Sequence, residues 1–206
     1  MTARSGVMTP ARMEAFTDGV VAIIITIMVL ELPVPKAPTP QAVLATAPIF
    51  LAYALSYVNV GIYWANHHHL LHMTERVDGR VLWANLFMLF WLSLVPLIIR
   101  WLDEAGFVPL PTAAYGVVLG MAAIGYTATQ AMIIANNGGR ESPLAKAVGR
   151  DIKGKISLAG YVAGVILAFV APWLAILLYV AVSAMWLVPD RRIERGLRQS
   201  GSDAVQ

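Results

Sequence analysis

The chain has 206 residues, of which 58% are apolar and 13% are charged, and its formal net charge is +3. Soluble domains carry about 25% charged residues, so this composition indicates an all-α integral membrane protein with no soluble domain. Cysteine is absent, which excludes disulfides, thiolate metal sites and cysteine nucleophiles. The basic residues are dispersed between apolar runs, so the positive charge does not predict a nucleic-acid partner.

Six apolar runs follow one another along the chain. A membrane-spanning helix needs about 20 apolar residues, and the candidates are residues 13–33, 42–65, 80–101, 109–136, 155–171 and 173–188. The last two are short and meet at Ala171 and Pro172, so one re-entrant hairpin is the alternative to two spans. We predict a six-helix transmembrane domain over residues 1–190 and a basic tail over residues 191–206.

The basic residues predict the orientation of these spans, because Lys and Arg concentrate on the cytoplasmic side of a membrane protein. Of the 15 Lys and Arg residues, 13 lie in the N-terminal segment, the second and fourth loops and the tail, and only Lys36 and Arg100 lie in the odd loops. Both termini are therefore expected in the cytoplasm, with the protein in the inner or plasma membrane and in contact with its lipids.

The first run has one distinctive face. At about 100° of rotation per residue, Val20, Ile23, Ile27 and Leu30 all fall within about 40° of Phe16 on the helix. We call this set the aliphatic stripe. From periodicity alone the stripe could contact lipid, pack on another helix or line a pore, because every face of this helix is apolar.

Asp18 falls about 200° from Phe16, on the opposite face of the helix. A carboxylate at a membrane boundary needs a partner, and the end of the second run and the start of the third lie at the same depth. These segments offer N–H groups that can donate hydrogen bonds to a carboxylate. We therefore predict a structural polar clamp that orients the first helix, formed by Arg12, Asp18, Trp64, Asn66, a histidine such as His67, and Asn85.

All four histidines lie in the sequence HHHLLH, residues 67–72. His68 and His72 are four residues apart and share a helix face, a spacing that fits a zinc pair. The glutamate of the H-E-x-x-H metalloprotease pattern is missing. The other interpretation is a set of interfacial histidines, one hydrogen-bonded and the rest solvated.

The later runs offer few chemical groups. They contain no Ser-His-Asp set, no phosphate-binding glycine loop and no paired carboxylates, so we predict that the protein is not an enzyme and needs no cofactor. Two glycine pairs at a spacing of four, Gly116 with Gly120 and Gly160 with Gly164, are of the kind that lets helices approach closely.

The start of the chain resembles the first helix of the transmembrane protein 175 family, the potassium channels of endosomes and lysosomes and their prokaryotic relatives. The family signature is R-x-x-x-F-S-D, and this chain has Arg12, Phe16, Thr17 and Asp18 in the same order. Threonine for serine keeps the hydroxyl. The signature adds Phe16 and Thr17 to the polar clamp, and the end of the second run also resembles the family pattern.

The resemblance implies a homotetrameric potassium channel in which the first helix of each subunit lines a central pore. Bulky aliphatic side chains replace a carbonyl-lined filter, and this chain has no TVGYG-like segment. By position, Ile23 would be the narrowest layer, with Ile27 and Leu30 above it, and Thr26 would offer hydroxyls to a passing K⁺. Glu31 is then expected either to form an acidic ring at the outer mouth or simply to reach water.

A different class of function remains as the alternative. Asp18 and the cluster from His67 to His72 could form the relay of a proton-coupled transporter. Such a relay would need ionisable groups at mid-membrane depth, whereas these groups are expected at one interface.

Overall fold

The computed structural model describes residues 8–149 and 151–187, and the predicted basic tail over residues 191–206 lies outside them. Regular structure within these ranges is helical, apart from an isolated bridge between Met8 and Val77. The helices are α1 (Pro10–Leu30), α2 (Pro40–Ala45), α3 (Ala47–His72), α4 (Gly79–Ser93), α5 (Val95–Ala105), α6 (Pro109–Asn136), α7 (Pro143–Val148), α8 (Ile152–Ala168) and α9 (Pro172–Leu187), with a 3-10 turn at Gly139–Glu141. The all-α prediction is confirmed.

Prolines determine where most of these helices begin. Helices α1, α2, α3, α5, α6 and α7 each carry a proline in their first two positions, where its missing N–H costs nothing and its fixed φ suits the helix. Helix α4 instead follows Asp78, whose carboxylate accepts the backbone N–H groups of Val81 and Arg80, each at 3.0 Å. The bond from Val81 lowers the pKa of Asp78 below its ordinary value.

Four helical segments of the described chain are long and apolar enough to cross a bilayer: α1, α3, α4 together with α5, and α6. Helices α8 and α9 have 17 and 16 residues. All six predicted runs therefore fall on helices, but only four meet the length and hydropathy of a full crossing. The prediction of a single helix over residues 42–65 was wrong. The short α2 ends at Ala45, and α3 begins at Ala47 with Pro48 in its second position and continues through the histidines to His72.

The third run is broken in its middle. Helix α4 ends at Ser93 and α5 begins at Val95, so Pro96 occupies an early position of α5. Proline cannot donate a backbone hydrogen bond and displaces the preceding turn. The Ser93 hydroxyl donates to the carbonyl oxygen of Phe90 at 2.7 Å, which satisfies one of the carbonyls at the break.

Helix α6 lies at the centre of the bundle, packed on α4, α5 and α8, whereas α1 packs on α3, α4 and α5. Glycines make the closest contacts possible. A Cβ atom on Gly125 would lie 2.8 Å from the backbone of Met88. A Cβ on Gly116 or Gly164 would collide with the ring of Tyr179. Both glycine pairs noted in the sequence therefore lie at close helix contacts.

Hydrogen bonds join the helices inside this apolar bundle, where they contribute about 0.6–2 kcal/mol each. The Ser56 hydroxyl on α3 is 2.9 Å from the hydroxyl of Tyr115 on α6. The Ser183 hydroxyl on α9 donates to Oδ1 of Asn59 on α3 at 2.8 Å. Helices α3, α6 and α9 are thus connected by polar contacts as well as by packing.

A second, smaller core lies apart from the main one and joins both ends of the α3–α4 turn to the start of α1. Its buried side chains come from α1, α3, the α3–α4 turn, α4, α6 and α7, and are Met13, Leu70, Leu71, Val77, Val81, Ile133 and Leu144. This core fixes the start of α1 against the end of α3, and so determines the neighbours of the histidine cluster.

Candidate conduction helix and its polar contacts

Helix α1 has one buried side and a broad exposed side. Its buried residues are Met13, Thr17, Val21, Ile24 and Met28. They form a face centred about 100° from Phe16. The aliphatic stripe lies outside this face, and its members Ile23 and Leu30 are 58% and 79% exposed, with Phe16 at 52% and Ile27 at 41%. Only Val20 is partly buried. The protomer therefore does not cover the stripe.

A second exposed face of α1 consists of small residues: Ala15, Gly19, Ala22 and Thr26, all exposed. We call it the small-residue face. Its members lie between about 240° and 300° from Phe16, next to the aliphatic stripe. No atom of the described chain lies within 4 Å of a Cβ built on Gly19. Faces of this kind allow another helix to approach closely in a membrane.

Thr26 belongs to the small-residue face and lies about 80° from Phe16, beside the aliphatic stripe. Its hydroxyl donates to the carbonyl oxygen of Ile23 at 2.9 Å. Because the hydrogen is used within the helix, the lone pairs of the oxygen stay available to accept or to coordinate a cation.

Glu31 caps the C-terminal end of α1 and is partly exposed. It interacts electrostatically with Arg100 on α5, and the Arg100 side chain donates to Glu104 at 2.9 Å. Glu31 thus shares its end of the bundle with a basic residue, a feature that the sequence did not reveal.

Two hydrogen bonds link α1 to its neighbours at the polar clamp. Trp64 on α3 donates from Nε1 to the Asp18 carboxylate at 2.8 Å. Asn85 on α4 donates from Nδ2 to the hydroxyl of Thr17 at 3.0 Å, and Thr17 is fully buried. These contacts bring together four of the residues that the sequence assigned to the clamp. One fixes α1 to α3 and the other fixes α1 to α4.

His67 lies in the same region and is 1% exposed. The carboxamide of Asn85 interacts with it, but within the described chain neither ring nitrogen of His67 meets ordinary hydrogen-bond geometry, and the same holds for Oδ1 of Asn85. Buried polar groups of this kind need a partner. His67 is therefore packed beside the two clamp hydrogen bonds, with the Asn85 carboxamide as a polar neighbour.

The other clamp residues are less closely joined. Arg12 is exposed, and its guanidinium has no hydrogen bond or ion pair to the residues that the structure describes. Phe16 is about half exposed on the aliphatic stripe. Asn66 lines a cavity between α3, α6 and α8, and its backbone carbonyl accepts from Tyr126 at 3.4 Å.

Sequence reasoning missed Glu14. Oε1 of Glu14 is 2.6 Å from Nδ1 of His68, and the ring centroids of His68 and His72 are 4.3 Å apart. Glu14 precedes Asp18 by four residues and therefore lies on the same face of α1. That spacing was the available signal, since Glu14 is the second residue of the first run and lies one turn before Asp18.

Comparisons with known proteins identify the family of this chain. The family model described as endosomal/lysosomal potassium channel TMEM175 matches residues 12–96, which include all the clamp residues. A potassium channel of Chryseobacterium sp. (strain P1-3) is 47% identical over 193 residues, or 94% of this chain and the whole length of that protein. The human endosomal/lysosomal proton channel TMEM175 is 36% identical over 92 residues, but this match covers only 18% of the human protein.

A solved structure has the same fold. The crystal structure of a lysosomal potassium-selective channel TMEM175 homologue from Chamaesiphon minutus aligns with a TM-score of 0.76 and 22% identity, covering 88% of this chain and 97% of the other. The helical architecture, the family model and a relative that matches over its full length all point to one assignment. This chain belongs to the TMEM175 family.

Proposed function

We propose that this protein is a potassium-permeable channel in which four copies of the chain surround a central pore lined by α1. The observation that carries the proposal is the exposure of Ile23, Ile27 and Leu30 on a helix that the protomer covers on one side only. The potassium channel of Chryseobacterium that is 47% identical over its whole length supports the choice of ion.

The two exposed faces of α1 suit two different neighbours. The small-residue face has room for the α1 helix or another helix of an adjacent copy, because Gly19 has no neighbour within 4 Å of its Cβ position. The centre of the aliphatic stripe lies about 90° around the helix from the centre of this face. A helix that packs on its neighbour through the first face directs the second toward the axis of a closed ring.

The aliphatic stripe provides a constriction and a gate. Four Ile23 side chains would form the narrowest layer, and Ile27 and Leu30 would continue it toward the C-terminal end of α1. A hydrophobic constriction of this type stops conduction when water leaves it. K⁺ loses hydration water more readily than Na⁺, so the layer favours K⁺ modestly.

Thr26 supplies the polar layer of the pore. Its hydroxyl hydrogen is bound to the Ile23 carbonyl, so the oxygen points lone pairs outward for a partly dehydrated K⁺. The polar clamp then has a mechanical role, since the bonds from Trp64 to Asp18 and from Asn85 to Thr17 hold α1 at the angle that the pore requires.

We further propose that the chain crosses the membrane six times and that both termini lie in the cytoplasm. The membrane is the plasma-type membrane of the cell. Helices α8 and α9 are joined by a short turn after Ala168 and before Pro172. With 17 and 16 residues they are about 26 and 24 Å long, so their crossings need local thinning of a bilayer core of about 30 Å. Membrane lipids cover the remaining exposed apolar side chains of these helices.

Flux measurements in liposomes test the proposal. We expect passive K⁺ flux that exceeds Na⁺ flux and needs no proton gradient, and Ile23→Asn should raise the flux by wetting the constriction. Ile166→Asn on α8 is the matched control, because Ile166 is similarly exposed, at 65% against 58% for Ile23, but lies on a different helix. Flux that depends on a proton gradient would instead favour the transporter that uses Asp18 and the histidines, and equal flux in Ile23→Asn and wild type would contradict the pore assignment.

A further inference from the structure

Three metal-ligating side chains lie together where the start of α1 meets the end of α3. Glu14, His68 and His72 each offer one ligand atom, and these atoms all lie within 4.8 Å of one another. The group is separate from the hydrogen bonds of the polar clamp and from the aliphatic stripe. It contributes nothing to the conduction mechanism derived above.

The chemistry of this group matches a zinc-class cation. Imidazole nitrogen and carboxylate oxygen bind Zn²⁺ at about 2.0–2.2 Å, and three protein ligands with a water in the fourth position form a common tetrahedral set. Such ligands lie about 3.3 Å apart in a tetrahedron. Glu14 and His68 are closer than this at 2.6 Å, so a small rotation of either side chain adjusts the pair.

The surroundings hold the ligands in place. Beneath them, Met13, Leu70 and Leu71 are buried in the second core, which fixes the backbone on both helices. The ring of Trp64 stacks on His68 with centroids 6.1 Å apart, and His72 meets His68 edge-on. Since both histidines are on one helix four residues apart, only Glu14 has to be positioned by tertiary structure.

We propose that Glu14, His68 and His72 form a binding site for Zn²⁺ or a similar transition metal that connects α1 to α3. The metal takes the place of the hydrogen bond between Glu14 and His68, because metal ligands bind in their deprotonated forms. Bound metal pins the start of α1 to α3, one turn before the Asp18–Trp64 bond. If α1 lines the pore, as proposed above, this extra connection slows the movement of α1 and reduces flux.

Calorimetric titration of the purified full-length protein with Zn²⁺, after removal of any affinity tag, tests the site. We expect binding to wild type that His72→Ala weakens by at least about tenfold. His72 is exposed and has no hydrogen bond to the described residues, so its replacement leaves the fold intact. Glu14→Gln should weaken binding similarly, which shows that the site spans both helices.

His69→Ala is the matched control, because His69 is on the same helix and is exposed but lies outside the group of three; it should bind Zn²⁺ like wild type. Mg²⁺ should produce no competing heat, since it prefers oxygen ligands. Unchanged Zn²⁺ affinity in His72→Ala, or in a folded Glu14→Gln, would overturn the proposal.

The effect on conduction is measured separately in liposomes. Added Zn²⁺ should reduce K⁺ flux through wild type and through His69→Ala but not through His72→Ala. Zn²⁺ that binds with wild-type affinity and leaves flux unchanged would overturn the pinning of α1. Absence of any flux before Zn²⁺ is added would count against the proposed channel function, while the calorimetry would still decide the metal site.

Discussion

Helices α1 and α6 are both long and apolar, yet they have opposite roles in the protomer. In the apolar stretch of 18 residues that could cross the membrane, 44% of the residues of α6 are buried, whereas only 28% of the residues of α1 are buried. Helix α6 packs on α4, α5, α8 and α9 of its own chain and contains two of the glycines at close contacts, Gly116 and Gly125. Helix α1 is held on one side, by packing, by the two clamp hydrogen bonds and by the contact between Glu14 and His68, and it leaves two faces uncovered. Mutations in the two helices should therefore affect different properties.

The largest effect is expected in α6. In Gly125→Ala, the new methyl group would lie 2.8 Å from the backbone of Met88 and force α4 away. Overpacking costs about 1–3 kcal/mol, and occasionally more; the upper end is expected here because the neighbour is backbone and not a flexible side chain. Gly61→Ala on α3 is the matched control, because no atom lies within 4 Å of its Cβ position. Thermal denaturation in detergent should show a large loss for Gly125→Ala and almost none for the control.

A bulky residue on the small-residue face of α1 should affect assembly and spare the protomer. Gly19→Leu meets no atom of its own chain near the Cβ, so the helical content and thermal unfolding of the protomer should stay close to wild type. Its side chain would separate neighbouring copies, so size-exclusion chromatography with light scattering should report a loss of tetramer. Gly61→Leu is the control and should keep the wild-type mass. If the Gly19→Leu assembly also keeps the wild-type mass, the small-residue face does not pack on another copy.

The clamp should show a smaller loss of stability. Thr17→Val removes the buried acceptor of Asn85, and an unpaired buried amide costs about 1–3 kcal/mol. Thr129→Val is the control, since Thr129 is equally buried but donates only to the Gly125 carbonyl of its own helix. Equal unfolding temperatures for the two variants would show that the Asn85–Thr17 bond does not stabilise α1.

The smallest effect concerns selectivity. Thr26→Val keeps the shape of the side chain but removes the oxygen proposed to contact K⁺, so the ratio of K⁺ to Na⁺ flux should fall about threefold, equivalent to about 0.7 kcal/mol. Thr127→Val on α6 is a matched control, because its hydroxyl is also exposed and also bonds to its own helix, at the Ala123 carbonyl. A ratio that stays at the wild-type value in Thr26→Val would remove Thr26 from the conduction path.

The contrast between the helices also explains what could be predicted from sequence. The membrane class, the helical runs and the family were accessible, because apolar length and the motif from Arg12 to Asp18 are local signals. The depth argument grouped Asp18 with Trp64, which the structure joins by a hydrogen bond. The break before Pro96 was not predicted, since the apolar run continues through it.

Tertiary contacts between apolar faces could not be predicted from the sequence, for a different reason. Every face of α1 is apolar, so periodicity could not distinguish the buried side with Val21 and Ile24 from the exposed side with Ile23. Pairings across a long separation, such as Glu14 with His68 or Glu31 with Arg100, depend on how the helices pack. No periodic pattern in the sequence predicts such pairings between helices.

The central claim is that the exposed stripe of α1 lines an aqueous pore, and a single cysteine tests it most directly. The chain has no cysteine, so Ile23→Cys introduces the only thiol, and Ile166→Cys on α8 provides a control of similar exposure. The measurement is K⁺ flux in liposomes before and after a charged, membrane-impermeant thiol reagent. We predict that the reagent blocks flux through Ile23→Cys and leaves Ile166→Cys unaffected. If Ile23→Cys conducts but is not modified by the reagent, and its flux is unchanged, the assignment of α1 to the pore is contradicted.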